Sequence, residues 1–314
     1  MNINHSALSA AALRCPPFCG AVLGTLILFF FSLLSLPSPV LAQDMVPKII
    51  SLYAADTELV LRLGARDSLI GVSRQESYRG PETEGWVSPP AFSIRDDVEK
   101  FISAAPSLVL ARPQHLNSNP GLFERLQKNG VKIWSGQCLR AEDLYDFWTD
   151  LGRLLGRENK ALAMIADFKK ELAPFELNAK EKLKKPGVFL ESIHKDLKTF
   201  TSDSIPIWLL TLAGGRNIAS DASAVRKGQI VANYGPEKLL AKSDEVEIYL
   251  SQQGPMNSIS LEEIKEREIF RVLPAFKNGR VYRVPEEYIS RPTPSLVEGL
   301  RLMKEKITET NELK

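Results

Sequence analysis

The chain has 314 residues, of which 40 are Lys or Arg and 38 are Asp or Glu, for a formal charge of +2. The basic side chains form no dense run of the kind that tracks a phosphate backbone, which argues against nucleic acid as a partner. With 25% charged and 44% hydrophobic residues, the composition is that of a globular protein and excludes a disordered, collagen-like or polytopic membrane chain. At roughly 100–200 residues per domain, the length accommodates two compact lobes and a connection.

The first 42 residues read as a cleavable export signal. No charged side chain occurs from Cys15 to Gln43, and Arg14 precedes the continuous apolar stretch Ala21–Leu36 (AVLGTLILFFFSLLSL). Pro37 and Pro39 then break the helix, and Val40-Leu41-Ala42 offers small residues where a signal peptidase reads, with Gln43 as the new N-terminus. A retained anchor of about 20 residues is the alternative, against which the Pro-containing flank and the cleavage site argue. Cys15 and Cys19 both lie before the apolar run, where a lipoprotein signal would put its Cys just after it. The expected product is delivered to the periplasm with Cys138 as its one cysteine, so an intramolecular disulfide is excluded.

Beyond the signal, strand and helix patterns alternate. Lys48–Leu52 reads as a strand, Asp56–Leu63 as a helix stopped by Gly64, and Leu69–Ser73 as a second strand. Arg74–Arg95 is polar and rich in Pro and Gly, and reads as a surface loop. A helix over Glu99–Ala105 leads to a strand over Leu108–Ala111. Asn119-Pro120 caps a helix over Gly121–Asn129 that Gly130 ends before the strand Val131–Trp134. From Ala141 to about Leu183 the period is helical throughout, with Gly156 a point of interruption; this reads as a rigid spine. The alternation then resumes with strands at Val188–Ser192, Val246–Ser251 and Val281–Val284. Its helices lie at Ile205–Ala213, Pro236–Lys242, Leu261–Glu268 and Pro294–Ile307. Such alternation argues for α/β layering on parallel sheets. The expected organisation is a signal over 1–42, an N-terminal lobe over 43–140, an interlobe helix over 141–185 and a C-terminal lobe over 186–314.

Six segments carry a family resemblance: IISLYAADTELVLRLGARDSLIGVS (Ile49–Ser73), VEKFISAAPSLVLARP (Val98–Pro113), LGRLLGREN (Leu151–Asn159), LAGGRNIASDA (Leu212–Ala222), PEKLLAKSDEVEIYL (Pro236–Leu250) and FKNGRVYRVP (Phe276–Pro285). In order and spacing they resemble the class III periplasmic binding proteins of ABC importers, which capture vitamin B12, ferric siderophores and haem. The family's Pro-Asp turn is altered here to Pro106-Ser107 and Ser243-Asp244. The resemblance implies two α/β lobes with parallel-rich sheets, joined by one long rigid helix, and a ligand cleft between them. It also implies an ABC permease with its ATPase as partners. One glutamate on each lobe, Glu99 and Glu237 by position, would dock on permease arginines, where charge complementarity favours encounter rate and specificity. Two ordinary helix-start glutamates are the plainer alternative.

Ligands of open parallel sheets bind outside the carboxyl ends of the strands, which selects Tyr53, Arg74, Arg112 and His194. Tyr78 and Trp86 lie in the long loop, Tyr234 precedes the second acidic helix, and Tyr288 and Arg291 follow the last strand. Aromatic faces suit a macrocycle or aryl chelate, and guanidinium groups suit its negative charge. A bare metal ion is disfavoured, because only His115, His194 and Cys138 remain as soft ligands beyond the signal. Either histidine could still be an axial ligand to a chelated metal. No resident cofactor is expected, and the exported protein is expected to be monomeric. A G-x-S-x-G elbow, a Walker A loop, G-x-G-x-x-G and H-E-x-x-H are all missing from the sequence, which disfavours an enzyme. Glu191 and Asp196 around His194 are the one acid/base set that can be drawn. A sensor or adaptor with the same fold is the other alternative.

Overall fold

The computed structural model describes residues 47–75, 78–179, 185–226 and 228–309; the export signal expected over 1–42 lies outside them. Strand β1 (Ile49–Ser51) feeds helix α1 (Ala54–Arg62), followed by β2 (Leu69–Ser73), β3 (Ala91–Phe92), α2 (Val98–Ala104) and β4 (Leu108–Ala111). Short helices α3 (Pro113–Ser118) and α4 (Pro120–Lys128) lead to β5 (Lys132–Ser135). The five strands form one parallel sheet in the order β3-β2-β1-β4-β5. Local chemistry sets the ends of these elements. Asp97 caps α2 by accepting from the Glu99 amide at 3.0 Å, Asn119 caps α4 through the Leu122 amide at 3.2 Å, and Gly64 and Gly130 take the left-handed φ values of 71° and 79° that stop α1 and α4.

The segment 74–95 is more than a surface loop. It contains β3, whose buried Phe92 stacks on Phe101 with ring centroids 4.9 Å apart. It also lies so close over Gly71 that a β-carbon there would come within 2.5 Å of the ring. A strand of two residues has no periodicity to betray it.

The helical middle is a hairpin whose second arm is the long helix. Helix α5 (Leu144–Leu154) turns at Gly156, with φ of 64°, into the 22-residue α6 (Glu158–Ala179). The arms pack through Trp148 edge-on to Phe168 at 4.9 Å. Strand β6 (Gly187–Glu191) opens the C-terminal lobe. There follow β7 (Lys198–Phe200), α7 (Ile205–Leu212), β8 (Arg216–Asn217), β9 (Ser223–Ala224), β10 (Val231–Asn233), α8 (Pro236–Ala241), β11 (Ile248–Gln253), α9 (Leu261–Lys265), α10 (Pro274–Lys277), β12 (Val281–Pro285), α11 (Glu286–Ile289) and α12 (Leu296–Thr308). A parallel sheet runs β12-β11-β6-β8, and a separate antiparallel sheet runs β7-β10-β9.

Period-two alternation sorts the strand residues between cores. Ile49, Leu108 and Leu110 face one core while Ile50, Val109 and Ala111 face another. In the second lobe Val188, Leu190, Ile248 and Leu250 face that same first core, and Phe189 and Tyr249 turn away to a third. The inner faces of both sheets therefore share one apolar core, which α5, α6 and α12 complete through Trp148, Phe168, Leu172, Leu300 and Met303. Polar bonds cross the same seam. Trp148 Nε1 donates to the Pro292 carbonyl at 2.7 Å, and Ser295 Oγ bonds Glu58 at 2.6 Å while accepting from Arg62 at 3.1 Å. Among the described residues no helix is long and apolar enough to cross a membrane.

Candidate functional site

The carboxyl ends of β1, β4 and β5 open on a cavity of about 350 Å³ shared with the carboxyl ends of β6, β11 and β12. The first lobe contributes Tyr53 after β1, Arg112 after β4, and Gln137 and Cys138 after β5. The second contributes Ile193 after β6, Gln252 and Met256 at and beyond the end of β11, and Glu286 and Ser290 after β12. Lys198 and Phe200 of β7, with Ile230 and Val231 from the β9–β10 hairpin, form a side wall, and Phe147 of α5 adds an aromatic face. Ser290 Oγ donates to the Gln252 side-chain oxygen. Apolar walls with a few convergent polar groups at strand carboxyl ends are the general form of a small-molecule site in this kind of sheet.

Adjacent pairing of β1 and β4 puts Arg112 beside Tyr53, its guanidinium carbon 4.7 Å from the ring centroid. Burial pushes the Tyr53 phenol up to about 12, although Arg112 and Arg291 pull it down. Behind it, Asp56 is fully buried and neither carboxyl oxygen has a hydrogen-bond partner. Burial raises its pKa well above the usual carboxylate range, with Arg112 opposing. Glu286, on the facing lobe, is also raised by burial, against the pull of Arg291 and Arg112. One guanidinium therefore acts on two carboxyls from opposite lobes. Cys138 is a buried free thiol whose burial pushes it up to about 12, the state of an unreactive thiol.

Of the nine ligand contacts expected from sequence, Tyr53 and Arg112 line the cavity, and Arg291 is buried with its charge acting on Tyr53 and Glu286. The other six are held elsewhere. Arg74 pairs with Asp96; Tyr78 bonds Glu82 and lies under Arg62; Trp86 packs against the shared core. Tyr234 is buried against Phe189 at 5.6 Å, Tyr288 lies on α11 with its carbonyl against Gly299, and His194 bonds Asn257 at 2.7 Å. Neither histidine lines the cavity. His115 Nδ1 accepts from the Arg112 amide at 3.3 Å, and burial with the neighbouring Arg112 charge lowers it to about 4. The acid/base set drawn around His194 does not assemble: Glu191 is fully buried under Tyr249, Ser251 and Arg267, while Asp196 is exposed beside Lys198. Among the described residues no group of three or more His, Cys, Asp or Glu is arranged to hold a metal ion.

Sequence reasoning missed Gln252, Glu286 and the wall of β7 and β10. The first two were available from the same rule that selected Tyr53, since they end β11 and follow β12. The wall was not, because strands of two or three residues carry no pattern.

Two parallel α/β sheets on a common core, with facing carboxyl ends around one cleft, define a bilobal solute-binding protein. The sequence matches the family model described as periplasmic binding protein over residues 49–288, and the chain belongs to that family. It is 25% identical to a vitamin B12-binding protein of Vibrio parahaemolyticus over 87% of this chain and 91% of that one. It is 24% identical to an ABC transporter substrate-binding lipoprotein of Bacillus subtilis, over 83% and 79% of the two chains. Among solved structures, a possible iron-binding periplasmic solute-binding protein of Staphylococcus epidermidis superposes with a TM-score of 0.70 at 27% identity, covering 83% of this chain and 98% of its own.

Proposed function

We propose that this chain is the solute-binding component of an ABC importer that captures a metal chelate of the corrinoid, haem or ferric siderophore class and delivers it to a membrane permease with its ATPase. The observation that carries the reading is the cleft, where Tyr53 and Arg112 face Gln252, Glu286 and Ser290 across apolar walls. Tyr53 offers an aromatic face and Arg112 a charge for the chelate periphery. The protein acts by binding, without turnover, as a periplasmic monomer freed of residues 1–42, with lobes over 43–140 and 186–314 joined by 141–185. The test is absorbance and mass spectrometry of the purified protein after incubation with cobalamin, haemin, a ferric catecholate and a ferric hydroxamate. Retention of one coloured ligand at one-to-one stoichiometry is the expected result; retention of none removes the chelate reading.

Glu99 and Glu237 are assigned to permease docking. Both are exposed in the first turns of α2 and α8, where a carboxylate is favoured by the helix dipole. Glu99 also pairs with Arg125 at 3.0 Å, an exposed contact worth little to stability and free to exchange for a permease arginine. The double substitution Glu99→Arg with Glu237→Arg should abolish chelate uptake by cells while leaving the dissociation constant of the purified protein unchanged. Loss of binding as well would remove the docking assignment.

A further inference from the structure

Two turns form the second lobe's edge of the cleft. The turn over Ser192–Leu197, after β6, closes through backbone pairing of Ile193 with Lys198 and holds Asp196 and Leu197 at φ of 61° and 44°, a region that side chains with a β-carbon rarely adopt. The turn over Gly254–Asn257, after β11, closes through reciprocal backbone bonds of 3.2 and 3.0 Å. Ile193 and Lys198 from the first, and Gln252 and Met256 around the second, line the cavity.

One side chain ties the turns together. Asn257 is fully buried. Its Oδ1 accepts from the His194 backbone N–H at 2.8 Å and lies 2.7 Å from His194 Nδ1. Its Nδ2 donates to the Gln252 carbonyl at 2.7 Å and to Ser251 Oγ at 3.2 Å. The carboxamide orientation follows from the backbone alone, because an N–H meets one end and a C=O the other, and all four of its hydrogen-bonding positions are used. That orientation makes His194 Nδ1 a donor. Ser251 Oγ in turn donates to Glu191 at 2.6 Å, and Glu191 is fixed by Tyr249 at 2.5 Å and Arg267 at 2.6 Å. The bonds run in one direction, from the rim at His194 to buried Glu191 and its partner Arg267, and a saturated network of this kind fixes geometry.

We infer that Asn257 and His194 are positioning residues that couple the two turns, so that the second lobe presents a single rigid wall to the ligand. The effect on affinity rests on reading the cavity as the ligand cleft; the coupling of the turns does not.

The test is amide hydrogen exchange across both turns in the whole protein, for wild type, Asn257→Ala, His194→Ala and His194→Gln. His194 is exposed, so its replacement leaves folding intact. In His194→Ala the amides of Gly254–Asn257, on the turn without the substitution, should exchange about five-fold faster, the worth of one lost hydrogen bond. His194→Gln, which can still donate, should restore most of the protection, and Asn257→Ala should release both turns. With whichever of cobalamin, haemin, the ferric catecholate or the ferric hydroxamate the wild type retains, Asn257→Ala should raise the dissociation rate about ten-fold with little change in association rate. Exchange confined to the substituted turn in both His194→Ala and Asn257→Ala would overturn the coupling. Should Asn257→Ala not fold, the two His194 variants decide it. Should the wild type retain none of the four chelates, the chelate reading fails and the exchange measurement still decides the coupling.

Discussion

Arg112 is the residue on which the cleft's charge balance turns. It lies over Tyr53, opposes the raised pKa values of Asp56 and Glu286, and helps keep His115 neutral. Replacing Arg112, which is half-buried, with Ala should weaken chelate binding about 30-fold, the scale of an arginine anchor in an interface, as measured by calorimetric titration. Asp56 makes a prediction of opposite character. The fold holds its proton at pH values where the unfolded chain, with an ordinary carboxyl near about 4, has released it. Stability from this group is therefore complete below that ordinary value and is lost as pH rises through the raised folded one, by up to about 1.4 kcal/mol per pH unit. Asp56→Asn should flatten the stability profile between about pH 5 and 8 and be at least as stable as the parent at the upper end. Urea unfolding across that range checks it, and a variant that loses as much stability between pH 5 and 8 as the parent would contradict it. Tyr53 and Arg112 were legible in the sequence because a strand's carboxyl end can be counted along the chain. Asp56 was not, because nothing in AADTELVLR says which side of the helix is sealed from water.

Among the elements, the hairpin of α5 and α6 depends on a close approach that a glycine permits. A β-carbon on Gly152 would come within 2.6 Å of the Ala161 β-carbon. Alanine would gain about 1 kcal/mol of helix propensity, but overpacking costs about 1–3 kcal/mol. Gly152→Ala should therefore be destabilising in denaturant melts, and adding Ala161→Gly should recover the packing part of the loss. A finding that Gly152→Ala alone is stabilising would mean that the helices separate freely. The sequence announced these helices through the period of Leu144, Phe147, Trp148 and Leu151, and their turn through Gly156. Likewise, β1, β4, β6 and β11 were legible as short apolar runs between turn and helix signals. The antiparallel sheet β7-β10-β9 was not, since its strands of two or three residues are too short to show an alternation.

At the scale of the whole molecule, the shared core decides how the lobes behave. Leu108 and Leu110 from the first sheet and Leu190 and Leu250 from the second occupy one apolar cluster with Trp148 and Leu300, so separating the lobes would expose it. Calorimetry should accordingly give a single unfolding transition whose van't Hoff and calorimetric enthalpies agree. Two resolved transitions would mean that each lobe is stable alone. The same arrangement bears on the order in which the chain is made. Helix α12, with Leu296, Leu300 and Met303 in that cluster, follows every strand. As the chain emerges, the finished first sheet, which ends at Ser135, has only part of its inner face covered until α12, beginning at Leu296, arrives. The incomplete chain therefore passes through a stage with exposed apolar surface, the condition that favours aggregation until the last helix docks.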